Sequence, residues 1–391
     1  MKYLNDDNMY RIVIAGDLIP SGSNVSLFEK GKSEEIFGAE ILNLFRQSDF
    51  SIFNLEGPLT SFSQPIEKTG PVIKAPKDSI KGIKGLGVKA VALANNHITD
   101  YQKNGYEDTI NILNEYGIDY FGAGENCDQI KKHISITLGK KRVCIYNVSE
   151  TFYNTPDVSS PGVNLYDEYI VCNEIKELKQ VHDYVIVIYH GGTEEFPYAT
   201  PLLRKRFHRM ADCGADFITA QHTHCIGCFE QYKNAYFLYG QGNFLFARMN
   251  KDLTRQGLIS EIIFSDKEIQ IKQHLVKVTK DDVVTLDESQ DLSAFYERSK
   301  DMSNYEIIEE KFKLFAYNRS IIKTRLLNAH RGDTIYYKIV KRISSKFYKR
   351  HILEKYKREQ LLRIAKTLES ERYGEDMLAV ICYMLEKRNA Q

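Results

Sequence analysis

Seven short runs rich in β-branched and aromatic residues punctuate the first two thirds of the chain: RIVIAGD (11–17), FSIFNLE (50–56), AVALANNH (90–97), RVCIYNV (142–148), YVIVIYH (184–190), DFITAQH (216–222) and AYFLYGQGNF (235–244). Each is nearly continuous in apolar residues rather than alternating, the pattern of a strand buried on both faces. Between them, EILNLFRQ (40–47), YEDTINILNEY (106–116), EIKELKQV (174–181) and LLRKRFHRMADC (202–213) carry apolar residues at helical spacing. Strands alternating with helices predict crossover connections and a largely parallel sheet covered by those helices. Past residue 257 the pattern changes to LISEIIF and EIQIKQHLVKV, separated around Ser265-Asp266-Lys267, which predicts a hairpin closing the domain. The reading is therefore a domain over 1–280, a polar linker or short helix over 281–304 and a helical extension over 305–391 with breaks at Gly332 and Gly374. No internal repeat is visible.

Composition adds little to this picture, with 43% hydrophobic and 27% charged residues as in an ordinary globular protein. No stretch approaches the roughly 18–20 consecutive apolar residues of a membrane span, and the start, MKYLNDDNMY, lacks a signal-peptide pattern. The seven cysteines are odd in number and scattered, which does not suit a secreted disulfide framework. The expected location is the cytoplasm. Charge changes the picture more: residues 311–391 hold 20 Lys+Arg against 8 Asp+Glu, so a net charge of +1 hides a basic tail on an acidic body. In that tail KIVKRISSKFYKRHILEKYKR (338–358) mixes basic and apolar residues at helical spacing, which suits packing on the core, an anionic partner or a membrane surface. No clear nucleic-acid motif accompanies it.

The candidate chemistry lies at the carboxyl ends of these runs: Asp17 after the first, Glu56 after the second, Asn96 and His97 after the third, then His190, and then His222 and His224. Ligands of open α/β sheets bind beyond the carboxyl ends of the strands, so these residues should meet at one rim. Carboxylates, an amide oxygen and neutral imidazoles together suit Zn²⁺, Mn²⁺ or Fe²⁺. Six candidate ligands exceed what one ion needs and suit a pair of divalent metal ions bridged by a carboxylate, the arrangement that clamps an in-line phosphoryl displacement. His222 and His224 flank one residue at the end of an apolar run and so project the same way from an extended chain.

The motifs AGD (15–17), NLEGPLT (54–60), ANNHITDY (94–101), YHGGTEE (189–195), QHTHC (221–225) and YGQGNFLF (239–246), in this order and each beside an expected strand, resemble those of the CapA-like capsule and poly-gamma-glutamate synthesis proteins. The resemblance runs from about 11 to 260. It implies a four-layered α/β/β/α metallophosphatase-type sandwich, since sequence alone does not divide the strands between two sheets. It further implies that Asp17, Glu56 and His224 hold one metal, and that Glu56 as bridge, Asn96, His190 and His222 hold the other. His97 would be the general acid and Asp100 its orienting partner. The chain departs from the wider metallophosphatase pattern at Ile19, where a histidine is common, and at Glu56, where aspartate is common; Gly191-Gly192 and Ala220-Gln221 depart from the CapA-like pattern and alter the pocket.

The implied function is hydrolysis of a phosphoester in capsule, exopolysaccharide or poly-gamma-glutamate-like polymer synthesis, on a phosphorylated or anionic small molecule or polymer. Two rivals stand beside it: hydrolysis or transfer at an amide or peptide bond, since two metals also polarise a carbonyl, and a non-catalytic partner in a polymer-synthesis complex. Cys225 and Cys228 form a C-x-x-C directly after the paired histidines, read as structural rather than redox-active, and Asn243 as part of a turn closing the rim.

Overall fold

The computed structural model describes residues 9–68, 71–150, 161–246, 251–265 and 269–318, together with 339, 342–344 and 347. Met1–Phe312 forms one compact unit and Lys313–Gln391 a second. The basic stretch at 338–358 lies outside the described residues apart from Ile339, Arg342 to Ser344 and Phe347.

Along the first unit the strands are β1 (Tyr10–Ile19), β2 (Phe50–Leu55), β3 (Ala90–Ala92), β4 (Asp119–Phe121), β5 (Ala123–Gly124), β6 (Ile134–Leu138), β7 (Lys141–Ser149) and β8 (Gly162–Val163). They continue with β9 (Tyr184–His190), β10 (Phe217–Gln221), β11 (Phe229–Tyr232), β12 (Ala235–Leu238), β13 (Asn243–Phe246), β14 (Gln256–Phe264), β15 (Ile269–Val278) and β16 (Val284–Leu286). The helices are α1 (Val25–Glu29), α2 (Ser33–Arg46), α3 (Ile80–Leu86), α4 (Gln102–Glu115), α5 (Cys127–Ile130), α6 (Glu168–Val181), α7 (Pro201–Asp212), α8 (Ser293–Lys300) and α9 (Tyr305–Asn318), the last running into the second unit.

Two sheets divide the larger strands. One has the order β16-β15-β14-β1-β2-β3-β4, with β13 beside the end of β1; the other has the order β11-β12-β10-β9-β7-β6. In the first, β1 to β4 run parallel, and in the second β7, β9, β10 and β12 do, so both present their carboxyl ends in register. The continuous apolar runs now have their cause. Ile12 and Ile14 of β1 pack with Ile145 of β7 and Ile186 and Ile188 of β9 in a layer between the sheets. Val13 and Ala15, one residue out of phase, face Phe37, Ile41 and Phe45 of α2 and Ile83 of α3. On the far side Val185 and Val187 meet Ile175 of α6 and Phe207 and Met210 of α7. The layer order is α/β/β/α, as the resemblance implied.

The hairpin after residue 257 is β14 and β15, paired from Gln256↔Lys277 to Phe264↔Ile269. A linker or short helix was expected over 281–304; the structure has the short helix α8, whose Phe295 joins an apolar cluster with Ile226 and Leu258, and adds β16, which pairs with β15 through Val276↔Leu286 and Val278↔Val284. Few apolar residues are enough here because β15 leaves a free edge to pair. Among the described residues no helix is long and apolar enough to cross a membrane.

Two side-chain clusters hold the rim strands. Phe244 of β13 packs against the rings of Phe37, Phe45 and Phe53 at centroid distances of 5.7, 5.5 and 6.3 Å. Glu230 on β11 accepts from Arg204 (3.1 and 2.7 Å) and lies 3.0 Å from His208 Nε2 on α7, and also accepts from the Tyr239 hydroxyl (2.7 Å). Burial alone would raise the Glu230 carboxyl, but the hydrogen bonds from His208, Arg204 and Tyr239 outweigh it and bring its pKa down to about 2.

Truncating Phe244→Ala should cost about 3–5 kcal/mol in urea unfolding, because the aromatic cluster cannot close around the void. A carboxyl depressed on folding contributes stability that is present above its unfolded pKa and fades as pH falls through the folded value. Glu230→Gln should therefore be less stable than the parent at pH 7, with the gap closing as pH falls from the ordinary 4.5 towards about 2. A gap independent of pH in denaturant melts would show that the charge contributes nothing.

Candidate metal centre

Asp17 owes its direction to an irregularity in β1. The register with β2 shifts between Ala15 and Asp17, and that with β13 shifts between Asp17 and Leu18. Gly16 lies at this bulge, where a Cβ would come 2.1 Å from the Gly242 carbonyl oxygen, so only glycine permits the approach. Glu56 follows directly on β2, and Asn54, two residues earlier on the same face, is the register partner of Asp17.

The two carboxylates are fully buried and share one donor: Asn54 Nδ2 donates to Asp17 Oδ1 (2.8 Å) and to Glu56 Oε2 (2.7 Å). Asn95 Nδ2 donates in turn to Asn54 Oδ1 (3.0 Å) and to the Leu55 carbonyl (2.8 Å). The Asn95 side-chain oxygen receives the His97 and Ile98 amides, which turns the chain after β3 so that Asn96 and His97 reach the rim.

The second sheet supplies the imidazoles. His190 ends β9 with Nε2 2.9 Å from Asn96 Oδ1 and 3.7 Å from Glu56 Oε1, and Nδ1 3.9 Å from Asp17. His222 and His224 both adopt the left-handed backbone region, with φ of 84° and 52°, unusual for residues with a Cβ and typical of strained functional turns. The His222 amide donates to Asp17 Oδ2 (2.9 Å). His224 Nδ1 is 2.9 Å from Asn243 Oδ1 and 3.5 Å from Asp17 Oδ2; the Asn243 amide nitrogen is fixed on the Thr254 carbonyl (2.7 Å), so its oxygen faces the ring. Nδ1 of His224 then carries the hydrogen and Nε2 the lone pair.

All six sequence-derived candidates meet here. Ligand atoms of Asp17, Glu56 and His190 lie within 4.8 Å of one another, as do those of Glu56, His222 and His224, so Glu56 belongs to both groups. This grouping puts His222 and His224 together, whereas the resemblance divides them between two ions. Glu194, half-exposed at the mouth, has a carboxylate oxygen 3.9 Å from His222 Nε2 and adds a further acidic group.

Electrostatics favour a cation. Burial, then the neighbouring Asp17, raises the Glu56 carboxyl well above its usual pKa, and its Oε1 has no hydrogen-bond partner among the described residues. Burial, then His222, His224 and His97, pushes His190 well below the ordinary imidazole value, which keeps the ring neutral as a ligand requires. An oxygen-and-imidazole donor set with an unsatisfied buried carboxylate fits divalent Zn²⁺, Mn²⁺ or Fe²⁺.

Beside the carboxylates and imidazoles lies a separate unit. His97 Nδ1 is 2.7 Å from Asp100 Oδ2, the same oxygen receives the Ile73 amide (2.7 Å), and Lys68 forms a short ion pair with Asp100 Oδ1. Lys68 Nζ also donates to the Asn96 carbonyl (3.1 Å), and its side chain is 3% exposed. Burial, helped by Lys68 and His224, holds the His97 imidazole below its ordinary pKa against the pull of Asp100.

Asn54, Asn95 and Lys68 were not among the expected site residues. The position of Asn54, two before Glu56 in a strand, was a usable signal; Lys68 sits in PIEKTG, which has no periodicity to read. Asn243 does not merely close a turn, because it orients His224. Cys225 and Cys228 are buried free thiols pushed up to about 12 by burial, opposite to what a reactive thiolate needs.

A family model described as "Bacterial capsule synthesis protein PGA_cap" matches residues 11–248. The "Capsule biosynthesis protein CapA" of Bacillus anthracis is 30% identical over 210 residues, covering 51% of each chain. The "PGA biosynthesis protein CapA" of Bacillus subtilis is 28% identical over 252 residues, covering 61% of this chain and 64% of its own. The chain thus spans less than two thirds of either relative. Among solved structures, a hypothetical protein from Thermus thermophilus aligns with a TM-score of 0.42 at 13% identity, covering 68% of this chain and 99% of its own. A 5'-nucleotidase from Candida albicans aligns with a TM-score of 0.38 at 10% identity, covering 81% of this chain and 58% of its own. Likeness of that degree adds nothing to the geometry of the site.

Replacing Asn54 by Leu removes the donor shared by Asp17 and Glu56. Manganese affinity in titration calorimetry should fall about 10- to 100-fold, the usual cost of losing an outer hydrogen bond to metal ligands. Unchanged affinity would mean that the carboxylates hold their positions without it.

Proposed function

This chain belongs to the bacterial capsule synthesis protein PGA_cap family, and on that premise we propose that it is a two-metal-dependent hydrolase of a phosphoester used in making a capsule or poly-gamma-glutamate-like polymer. The observation that carries the reading is the pair of buried carboxylates, Asp17 and Glu56, on one shared amide donor, with Glu56 common to both ligand groups and its Oε1 unsatisfied. A carboxylate in that state fits a bridging role.

Asp17, Glu56, Asn96, His190, His222 and His224 would hold the ions. When bound, two such cations supply Lewis-acid polarisation and make water nucleophilic near neutral pH. The remaining work falls to the chain. Asp100 engages Nδ1 of His97, so proton exchange with a substrate falls to Nε2. The free protein favours the neutral ring, so donation to a leaving oxygen relies on the negative charge a phosphorylated or otherwise anionic substrate brings beside it. Lys68 neutralises Asp100 and limits how far that carboxylate alone can raise the imidazole.

The test is a panel of phosphomonoesters, phosphodiesters and glutamyl amides with added Mn²⁺, run alongside metal analysis. Turnover confined to glutamyl amides would replace the phosphoester reading by the amide one, and absence of both bound metal and turnover would leave a non-catalytic partner. His97→Ala should retain metal but lose about 10²- to 10⁴-fold in kcat, the usual contribution of a positioned general acid; His222→Ala should lose metal and activity together. A proton donor works only while protonated, so the parent's kcat should fall as pH rises through the donor's pKa, and the His97→Ala profile should lack that limb. Equal metal content and equal activity in the two variants would refute the division of roles.

A further inference from the structure

On the side of the molecule away from the rim, β6 is the edge strand of its sheet and pairs with β7 so that Ser135 lies opposite Cys144. His133 immediately precedes β6, and His182 is the residue that ends α6 before β9 begins. Ligand atoms of His133, Cys144 and His182 all lie within 4.8 Å of one another. Cys144 is fully buried, while both histidines are half-buried and reachable from solvent.

A backbone carbonyl sets the His182 tautomer. His182 Nδ1 is 2.9 Å from the Leu178 carbonyl, which can only accept, so Nδ1 carries the hydrogen and Nε2 the lone pair. That lone pair is aimed at the Ser135 hydroxyl, 2.9 Å away. The His133 ring stands edge-on to that of His182 at a centroid distance of 6.0 Å, and burial and the facing His182 keep it towards the neutral form. An imidazole anchored through one nitrogen on a carbonyl, with the other turned to a shared point, is the arrangement of metal-ligating histidines. A hydrophobic packing role for Cys144 would not require two imidazoles beside it, one of them so anchored.

We propose that His133, Cys144 and His182 form a second, mononuclear metal site, distinct from the rim, for a borderline-soft divalent cation of which Zn²⁺ is the natural occupant. One thiolate and two imidazoles match its preferred donors, and the fourth tetrahedral position is open to the Ser135 hydroxyl or a water. On binding, the Cys144 S–H bond is replaced by a sulfur–metal bond and the proton leaves to solvent, so affinity rises with pH. Burial pushes the metal-free thiol up to about 12, a cost that coordination reverses. Tetrahedral bonds of about 2.0–2.3 Å need ligand atoms roughly 3.3–3.8 Å apart, a closure the half-exposed imidazoles can make. The bound ion would clip the end of α6 to the β6–β7 hairpin.

Cobalt tests this, because a thiolate-to-Co²⁺ charge-transfer band in the near ultraviolet reports sulfur ligation and none of the proposed rim ligands contains sulfur. The full-length protein, stripped by chelation and given excess Co²⁺, should develop the band, and Zn²⁺ should displace it. Cys144→Ala and His182→Ala should each lose it while keeping Mn²⁺ binding at the rim; His182→Ala changes a half-exposed helix end and guards against a core variant that fails to fold. Cys225→Ala, which removes the thiol next to His224, should retain the band. The proposal is overturned if the parent shows no band, or if the band survives in Cys144→Ala or disappears only in Cys225→Ala.

Discussion

Two carboxylates buried side by side are the constraint around which this fold is arranged. Asp17 and Glu56 come from adjacent parallel strands and both accept from the Asn54 amide, while the His222 amide takes the remaining oxygen of Asp17. Like charges in a low-dielectric interior repel strongly, and burial adds its own cost, which is why the Glu56 carboxyl is driven well above its ordinary range. A shared neutral donor reduces the cost without removing it. A bound cation would balance the rest, and the bulge at Gly16 and the left-handed His222 and His224 are the backbone distortions that turn these side chains toward one point.

Strain of this kind persists only if the surroundings over-determine it. Beneath the rim the apolar layer between the sheets gives way to amides that join one sheet to the other. Gln221 Nε2 donates to the Ala15 carbonyl (3.0 Å) and Gln241 Nε2 to that of Ile14 (2.6 Å), while Asn147 accepts from the Ala94 amide (2.7 Å) and donates to the Ile188 carbonyl (3.0 Å). The first three cross from β1 or the residues after β3 to the second sheet or the residues after β12, and the last fixes Asn147 to its neighbour strand β9. Buried amides of this sort give less net stability than hydrocarbon packing, but their directionality fixes the sheets' relative position more tightly.

Much of this was legible in the sequence because both-face burial leaves continuous apolar runs and because polar residues at run ends have few structural reasons to be there. The site residues at or just beyond the carboxyl ends of β1, β2, β3, β9 and β10 were found that way, although β1 runs on past Asp17 to Ile19. The division of the strands into two sheets was not, since a run such as YVIVIYH reads the same in either, and only the resemblance supplied it. The partners of the ligands were less visible still. Asn54 and Asn243 are ordinary strand and turn residues until their neighbours across 37 and 19 positions are known, and Lys68 lies in a segment without periodicity. At 281–304 the polar composition suggested a linker or short helix, which allows for α8 but not β16, because edge pairing needs only three residues.

On the function proposed above, the proton-handling unit stands apart from the ligands for an electrostatic reason. An imidazolium among His190, His222 and His224 would repel the ions those residues are disposed to hold, so a donor has to sit next to the ligand set without joining it. His97 achieves this by following Asn96 directly while its Nδ1 is engaged by Asp100. Asp100 also receives Lys68 and the Ile73 amide, and its own carbonyl accepts the Ile66 amide (2.9 Å). Asp100 therefore orients the imidazole and holds the Ile73 amide with its carboxylate, and holds the Ile66 amide with its carbonyl. A change at Asp100 consequently alters both the support of the His97 imidazole and the hold on Ile66 and Ile73, whereas a change at Lys68 removes the cation paired with that carboxylate.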